Sequence, residues 1–322
     1  MEDSITRDNV MQDIIEDFRK SELDMMTLRV TFMCDRSGVL PPYLGSTIRG
    51  IMGHCFRRLA CTEAMTKCFA CHKRKECLYV RCFSNTGQEG GAINPYVIGG
   101  LHNGKTEWHP GDECSFELTI FGNAVADIEL YMEAIMGMGK IGWGAVKLPF
   151  HLLRVLDGET GRLIYLPGLG RVGALKAHRL TWVDRAAKMV VISFDTPLRV
   201  VSGGALCKVP SFEMLIQFIM RRLALIVQVH GQQKLVWDEA DILNKARQVR
   251  LGEHYLRAVD FERFSINQKN NKVELPAIEG WALYECEGEF GELAAILEVG
   301  RCLHIGKGGT IGFGHYETFY DV

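Results

Sequence analysis

The four residues Ile141-Gly142-Trp143-Gly144 return as Ile311-Gly312-Phe313-Gly314, and no other feature constrains the fold as much. Each copy follows an amphipathic helical pattern and a segment of glycine with lysine (Lys140 in one, Lys307 in the other). Each then leads into a strand pattern. Equivalent placement in both halves points to duplication. With 322 residues the chain has room for two domains.

The periodicities divide accordingly. Val10, Met11, Ile14, Ile15 and Phe18 recur at helical spacing, so residues 1–24 read as an N-terminal helical arm. Leu28 to Cys34 reads as a strand. Pro41-Pro42 breaks the chain before a helix from Leu44 to Cys61, whose apolar stripe is Leu44, Ile48, Ile51, Met52, Cys55 and Leu59. Ser115 to Phe121 is a further strand, and Ile128, Tyr131, Met132, Ile135 and Met136 form one face of a second helix. Ala145 to Leu156 is the next strand, and one more must lie between Gly90 and Leu101. This order predicts an α+β class built on the ferredoxin-like βαββαβ unit over residues 25–156, with a cysteine-rich insertion near 61–90.

Asp157-Gly158 is a turn signal, so residues 157–185 read as a linker hairpin. Residues 186–322 repeat the logic as a second ferredoxin-like unit. Met189 to Phe194 is a strand, Pro210-Ser211 opens a helix carrying Phe212, Leu215, Ile216, Ile219 and Leu223, and Leu293, Ile296, Leu297 and Leu303 mark a last helix before a final strand.

The net charge of −2 excludes a highly basic nucleic-acid binder, so RNA binding must rest on local patches such as Arg57-Arg58, Lys73-Arg74-Lys75 and Arg221-Arg222. The first residues show no signal-peptide pattern, and no apolar run approaches a membrane span. The 11 cysteines are an odd number without a secretory signal, which favours a reducing cytosolic setting over a disulfide scaffold.

Three glycine runs invite a nucleotide-binding reading. Gly137, Gly139 and Gly142 fit G-x-G-x-x-G but run from helix to strand, opposite to the dinucleotide fingerprint. Gly168, Gly170 and Gly173 follow a strand, yet Ala174 to Trp182 is too short for the helix that should receive a pyrophosphate. Gly306-Lys307-Gly308-Gly309-Thr310 departs from the P-loop, since position 301 is Arg and Lys307 is followed by Gly. Gly306, Gly308, Gly309, Gly312 and Gly314 leave two readings: backbone N–H groups open to a phosphate chain, or a tight turn that lets a helix pack on its sheet.

Several segments together resemble the CRISPR-associated endoribonucleases that cut repeat RNA, within the RAMP superfamily. Leu303-His304-Ile305-Gly306-Lys307-Gly308-Gly309-Thr310-Ile311-Gly312-Phe313-Gly314-His315-Tyr316 is similar to that family's C-terminal glycine-rich signature. Leu44-Gly45-Ser46-Thr47-Ile48-Arg49-Gly50 before His54 resembles its first helix. Phe194-Asp195-Thr196-Pro197-Leu198-Arg199 and Arg221-Arg222 resemble the start of its second half.

The resemblance implies two RAMP-type domains and RNA bound between them. It implies metal-independent cleavage of CRISPR repeat RNA, in which the ribose 2′-OH attacks phosphorus and leaves a cyclic phosphate and a 5′-hydroxyl. No cofactor is needed for that reaction. It places the catalytic histidine at His54, with Arg58 steadying charge on the phosphate and Tyr43 orienting or deprotonating the 2′-OH. Without the family, His54 is an ordinary exposed histidine and Tyr43 an aromatic staple. RNA contacts are expected from Arg57, Lys140, Arg221 and Arg222 and from Gly306, Lys307, Gly308, Gly309, Thr310, Gly312 and Gly314. His304 and His315 flank the loop as outside candidates. The alternative function is a non-catalytic RAMP subunit that binds guide RNA beside other CRISPR effector subunits. A third is a nucleotide-dependent enzyme using Gly168 to Gly173.

Cys61, Cys68, Cys71 and Cys77 give C-x6-C-x2-C-x5-C. Four thiolates at this spacing can close a tetrahedral structural zinc site and staple an insertion too small for a core. An iron–sulfur cluster or free thiols are the other readings.

Overall fold

The computed structural model describes residues 13–84, 93–101, 104–265 and 271–321. The first half is a mixed α/β layer: β1 (Asp24–Cys34), α1 (Gly45–Ala60), β2 (Tyr96–Gly99), β3 (Glu113–Phe121), α2 (Ile128–Met138), β4 (Phe150–Asp157) and β5 (Leu163–Leu166). Its antiparallel sheet runs β2-β3-β1-β4-β5, with Val30 opposite both Phe116 and Val155. Alternation along β3 turns Cys114, Phe116, Leu118 and Ile120 inward, where α1 and α2 cover them. Phe56 of α1 meets Tyr131 of α2 at 4.9 Å, a contact that replaces the exposed Leu59 in the expected stripe.

The second half is β6 (Met189–Leu198), α3 (Phe212–His230), α4 (Glu239–Arg247), β7 (Arg250–Ser265), β8 (Asn271–Glu285), α5 (Glu292–Leu303) and β9 (Glu317–Tyr320). Its sheet runs β7-β8-β6-β9, again antiparallel, with Ile192 opposite Ala282 and Thr318. Ser211 caps α3 by accepting from the Met214 N–H at 3.2 Å. Each half thus places its first strand inside its sheet, with β4 beside β1 in the first half and β9 beside β6 in the second.

A shared core joins the halves. Val97 and Phe121 of the first sheet cluster with Leu223, Ile226 and Val227 of α3 and with Val299 and Leu303 of α5. Ile311 and Phe313 belong to the core of the first half, although they lie in the second.

Two expectations change. Val10 and Met11 lie outside the described residues, and the rest of the arm is not helical: Asp13–Ile15 pairs in parallel with Gln233–Leu235, and Phe18–Lys20 is a single 3-10 turn. Phe18 is buried against Trp182 and Trp237 while Ile14 stays exposed, so one anchor rather than a helical stripe holds the segment. The strand expected from Ala145 starts at Phe150, because Trp143 and Leu148 pair across a tight turn in which Lys147 takes φ 52°. The Trp143 ring stacks on Phe150 at 4.5 Å.

Candidate nucleic-acid interface

The start of α1 is wedged against the glycine-rich turn of the other half. Gly45 is buried there, and the Tyr43 ring packs on Phe261 at 5.4 Å and Phe313 at 5.5 Å. Any side chain at Gly312, where φ is 92°, would come within 2.5 Å of the Tyr43 hydroxyl. Burial, with the carboxylates of Asp195 and Glu279 nearby, pushes the Tyr43 phenol far above its ordinary pKa. Tyr43 is therefore an interdomain staple, and the base role expected of it has no support in this geometry.

The glycine turn faces inward as well. The N–H groups of Ile305, Lys307, Ile311, Gly312, Phe313 and Gly314 donate to the carbonyls of Gly314, Arg199, Gly308, Gly309, Gly308 and Pro197. Gly306, Gly309, Gly312 and Gly314 are buried. Their missing Cβ atoms make room for neighbouring protein: a Cβ on Gly314 would lie 1.9 Å from the Ile305 carbonyl oxygen, and one on Gly306 would lie 2.5 Å from that of Arg199. The expected cradle of free backbone N–H groups is thus largely used up by the fold. Lys307 is exposed and Gly308 and Thr310 are half-buried, so these face the solvent.

The basic residues separate into two sets. Arg222 turns inward, donating to the Leu303 carbonyl at 3.2 Å and to the Gly306 carbonyl, and burial pushes its pKa down to about 10. Arg57 donates to the carbonyls of Ala64 and Thr66 and lies over the Tyr79 ring, tying α1 to the segment after it. Both are spent on structure. Arg221, Arg58 and Lys140 are exposed.

His54 is exposed on α1 with Gly50 and Arg58 one turn away on either side, also exposed. Among the described residues nothing lies within 4 Å of the position a Gly50 Cβ would take, so this helix face is open among them. Nine residues separate Gly45 from His54, about 14 Å along the axis. His54 therefore stands away from the glycine turn.

Next to the turn is a histidine pair that no periodicity in the chain joins. The rings of His304 and His315 are 5.2 Å apart. His304 is buried and in contact with the Phe313 carbonyl through Nδ1 at 3.0 Å, and its backbone takes φ 62°, ψ 146°, unusual for a residue with a side chain. Burial, then the charges of His315 and Arg222, push its pKa well below the ordinary value. Burial opposes charge on His315 too. Yet its Nδ1 lies 2.9 Å from both Asp195 carboxylate oxygens, and Asp195 and Glu317 hold its pKa above the ordinary value. Asp195 and His315 continue the antiparallel register in which Ser193 of β6 faces Glu317 of β9.

Cys61, Cys68, Cys71 and Cys77 are half-buried free thiols in the segment after α1. Arg57, hydrogen-bonded to Cys61 and close to Cys68, is held above its ordinary pKa, and Lys73 lies near Cys71 and Cys61. Three of the four thus line one patch. Among the described residues, however, the group of three ligand atoms within 4.8 Å of one another is Asp195, His315 and Glu317, and the sulfurs form no such group. Among those residues, too, no helix is long and apolar enough to cross a membrane.

Comparison with known proteins agrees with this architecture. Residues 23–178 match a family model described as an N-terminal domain, and residues 192–316 match the CRISPR-associated endoribonuclease Cas6. An uncharacterized protein of Archaeoglobus fulgidus is 21% identical over 289 residues, covering 86% of this chain and 92% of its own. A partial Cas6-RT-Cas1–Cas2 complex superposes with a TM-score of 0.63 at 13% identity, covering 95% of this chain. This chain spans only 48% of that polypeptide, and 30% of the one in a second such complex. A Cas6 product complex (TM-score 0.56, 13% identity) covers 92% of this chain and all of its own. Thermus thermophilus Cas6 (TM-score 0.55, 12% identity) covers 92% of this chain and 99% of its own. At such identities the likeness is one of fold. Residues 192–316 thus match the CRISPR-associated endoribonuclease Cas6 family, within a chain whose fold is similar to that of Cas6 over nearly its whole length.

Proposed function

We propose that the protein is built from two ferredoxin-like halves and cuts CRISPR repeat RNA without a metal ion. The observation that carries this reading is the open face of α1, where His54 and Arg58 stand one turn apart beside a gap at Gly50. His54 takes the proton of a ribose 2′-OH, and the freed oxygen attacks the adjacent phosphorus. The bond to the 5′ oxygen breaks, that oxygen takes a proton from water, and a cyclic phosphate remains. Arg58 stabilises the charge that builds on the phosphoryl oxygens. Exposed Lys307, Arg221 and Lys140 and half-buried Thr310 offer contacts to the RNA backbone.

A second reading is a non-catalytic subunit that binds guide RNA, and the burial of Tyr43 favours it by removing the proton-transfer role expected of that side chain. Association with other CRISPR proteins is proposed with either reading. Incubation of labelled repeat RNA with the protein, EDTA being added with the substrate, separates them. Cutting at one position with a cyclic-phosphate end supports the enzyme; binding without cutting supports the subunit; a protein that neither cuts nor binds the RNA has no RNA role.

We also propose a structural zinc on Cys61, Cys68, Cys71 and Cys77, supported by their spacing and by the patch that three of them share. The thiolates would have to draw together on binding. One zinc per chain in the purified protein, lost in Cys68→Ser, is the expected result, and a metal-free sample would refute it.

A further inference from the structure

The second sheet has one face covered by helices, while the other is covered by the first half only where Phe261, Leu275 and Ala277 pack on it, and is bare around Tyr255, Trp281 and Phe319. Val190, Ile192 and Phe194 of β6, Ala282 and Tyr284 of β8 and Tyr316 pack against α3 and α5. The alternate residues point away. Tyr255 of β7 is 63% exposed and sits directly opposite Trp281 of β8, which is 37% exposed and sits opposite Ser193. One row further, Leu283, Val191 and Phe319 lie side by side, and Phe319 is 60% exposed. Aromatic rings on neighbouring strands, about 4.8 Å apart, form a continuous apolar surface that costs free energy to leave in water.

The charges around it indicate what would cover it. Arg257 pairs with Glu279 at 3.1 Å, Arg250 with Glu285 at 3.3 Å and His315 with Asp195 at 2.9 Å. Cations and carboxylates cancel in pairs, so the face suits an uncharged, planar, aromatic guest rather than a phosphate chain. It also continues into a cavity of about 640 Å³ lined by Tyr255, Arg257, Glu279, Asp195 and Gly104 of the first half. Asp195 and Glu279 both act on Tyr43, at the start of the helix that carries His54. The bare face therefore reaches the seam at the start of α1, the helix that carries His54 further along.

We infer that unpaired nucleobases of the RNA stack on Tyr255 and Trp281, which face each other across β7 and β8 on this open part of the sheet. The inference rests on the RNA-binding reading above and adds a subsite to it. A base has a π-face whatever its identity, so such stacking tolerates sequence and contributes affinity without adding to counterion release.

The test is fluorescence anisotropy with fluorescein-labelled, unstructured repeat RNA. Trp281→Ala and Tyr255→Ala should each weaken binding about five- to hundredfold, and Trp281→Phe should retain most of the affinity. The slope of log affinity against log salt should stay that of the wild type. Tryptophan emission should be quenched by RNA in the wild type and less so in Trp281→Ala. Both side chains are at the surface, and unchanged melting temperatures would show that the variants fold. If the wild type binds this RNA and both alanine variants bind equally well, the stacking subsite is wrong while RNA binding stands. If the wild type does not bind, both fall. If Trp281→Ala instead abolishes a dimer in sedimentation at unchanged RNA affinity, the face belongs to a second copy of the chain and the inference is overturned.

Discussion

Gly45 and Ile311 meet backbone to backbone: a Cβ on Gly45 would lie 1.7 Å from the Ile311 carbonyl oxygen. Gly45→Ala must therefore push the glycine turn away from α1, and overpacking of this kind costs about 1–3 kcal/mol or more. A fall of several degrees in melting temperature is expected. Gly50→Ala, where the added methyl meets nothing within 4 Å, is the control: it should leave stability unchanged or raise it by about 0.5–1 kcal/mol.

For His54→Ala the expected outcome is a loss of cleavage of about a hundred- to ten-thousandfold with RNA affinity retained. Single-turnover rates and binding measured on the same preparation check both parts. A variant that cuts repeat RNA as fast as the wild type would remove His54 from the mechanism.

Arg222→Met removes two hydrogen bonds that hold the end of α5 and the glycine turn. The loss of charged hydrogen bonds is offset by relief of a buried cation, leaving a destabilisation of about 1–3 kcal/mol. Hydrogen exchange should quicken at Lys307 and Phe313 before it does in the sheets. Uniform protection at unchanged stability would contradict the clamp.

The histidines impose a pH dependence on folding. His304 has a lowered pKa in the folded state, so the unfolded chain binds its proton first and stability falls as pH drops below about 6.5. His230, buried and also lowered, acts in the same direction. His315 is raised and opposes them: its contribution is present below about pH 6.5 and is lost as pH climbs through its folded value. Melting temperatures between pH 7.5 and 5 should decline for the wild type and decline less for His304→Asn. A parallel decline in both proteins would assign the effect elsewhere.

Much of the fold was legible because its helices carry strong apolar periodicities. The helix expected at Leu44–Cys61 forms as Gly45–Ala60, and Ser211 opens α3 where Pro210-Ser211 marked it. The long hairpin of β7 and β8 escaped notice since Arg250–Ser265 breaks strict alternation, with Glu253-His254 and Glu262-Arg263 side by side and a register shift between Leu251 and His254. Glycines misled in another way. A glycine turn open to phosphate and one filled by protein backbone share the same residues, and only the carbonyls of Pro197, Arg199 and Ile305 decide between them. Likewise Arg221 and Arg222 are equivalent in sequence, but the helix turns one to solvent and the other into the seam.

Ile311 and Phe313 fill the core of the half that was synthesised first. Burying a phenylalanine contributes about 1.5–3 kcal/mol, so the first half must wait on the ribosome for a plug made much later. Contacts so distant along the chain slow folding. A protein divided near residue 185 should yield an N-terminal piece that is soluble and native only when the C-terminal piece is supplied, a dependence that makes the two halves one folding unit despite their repeated architecture.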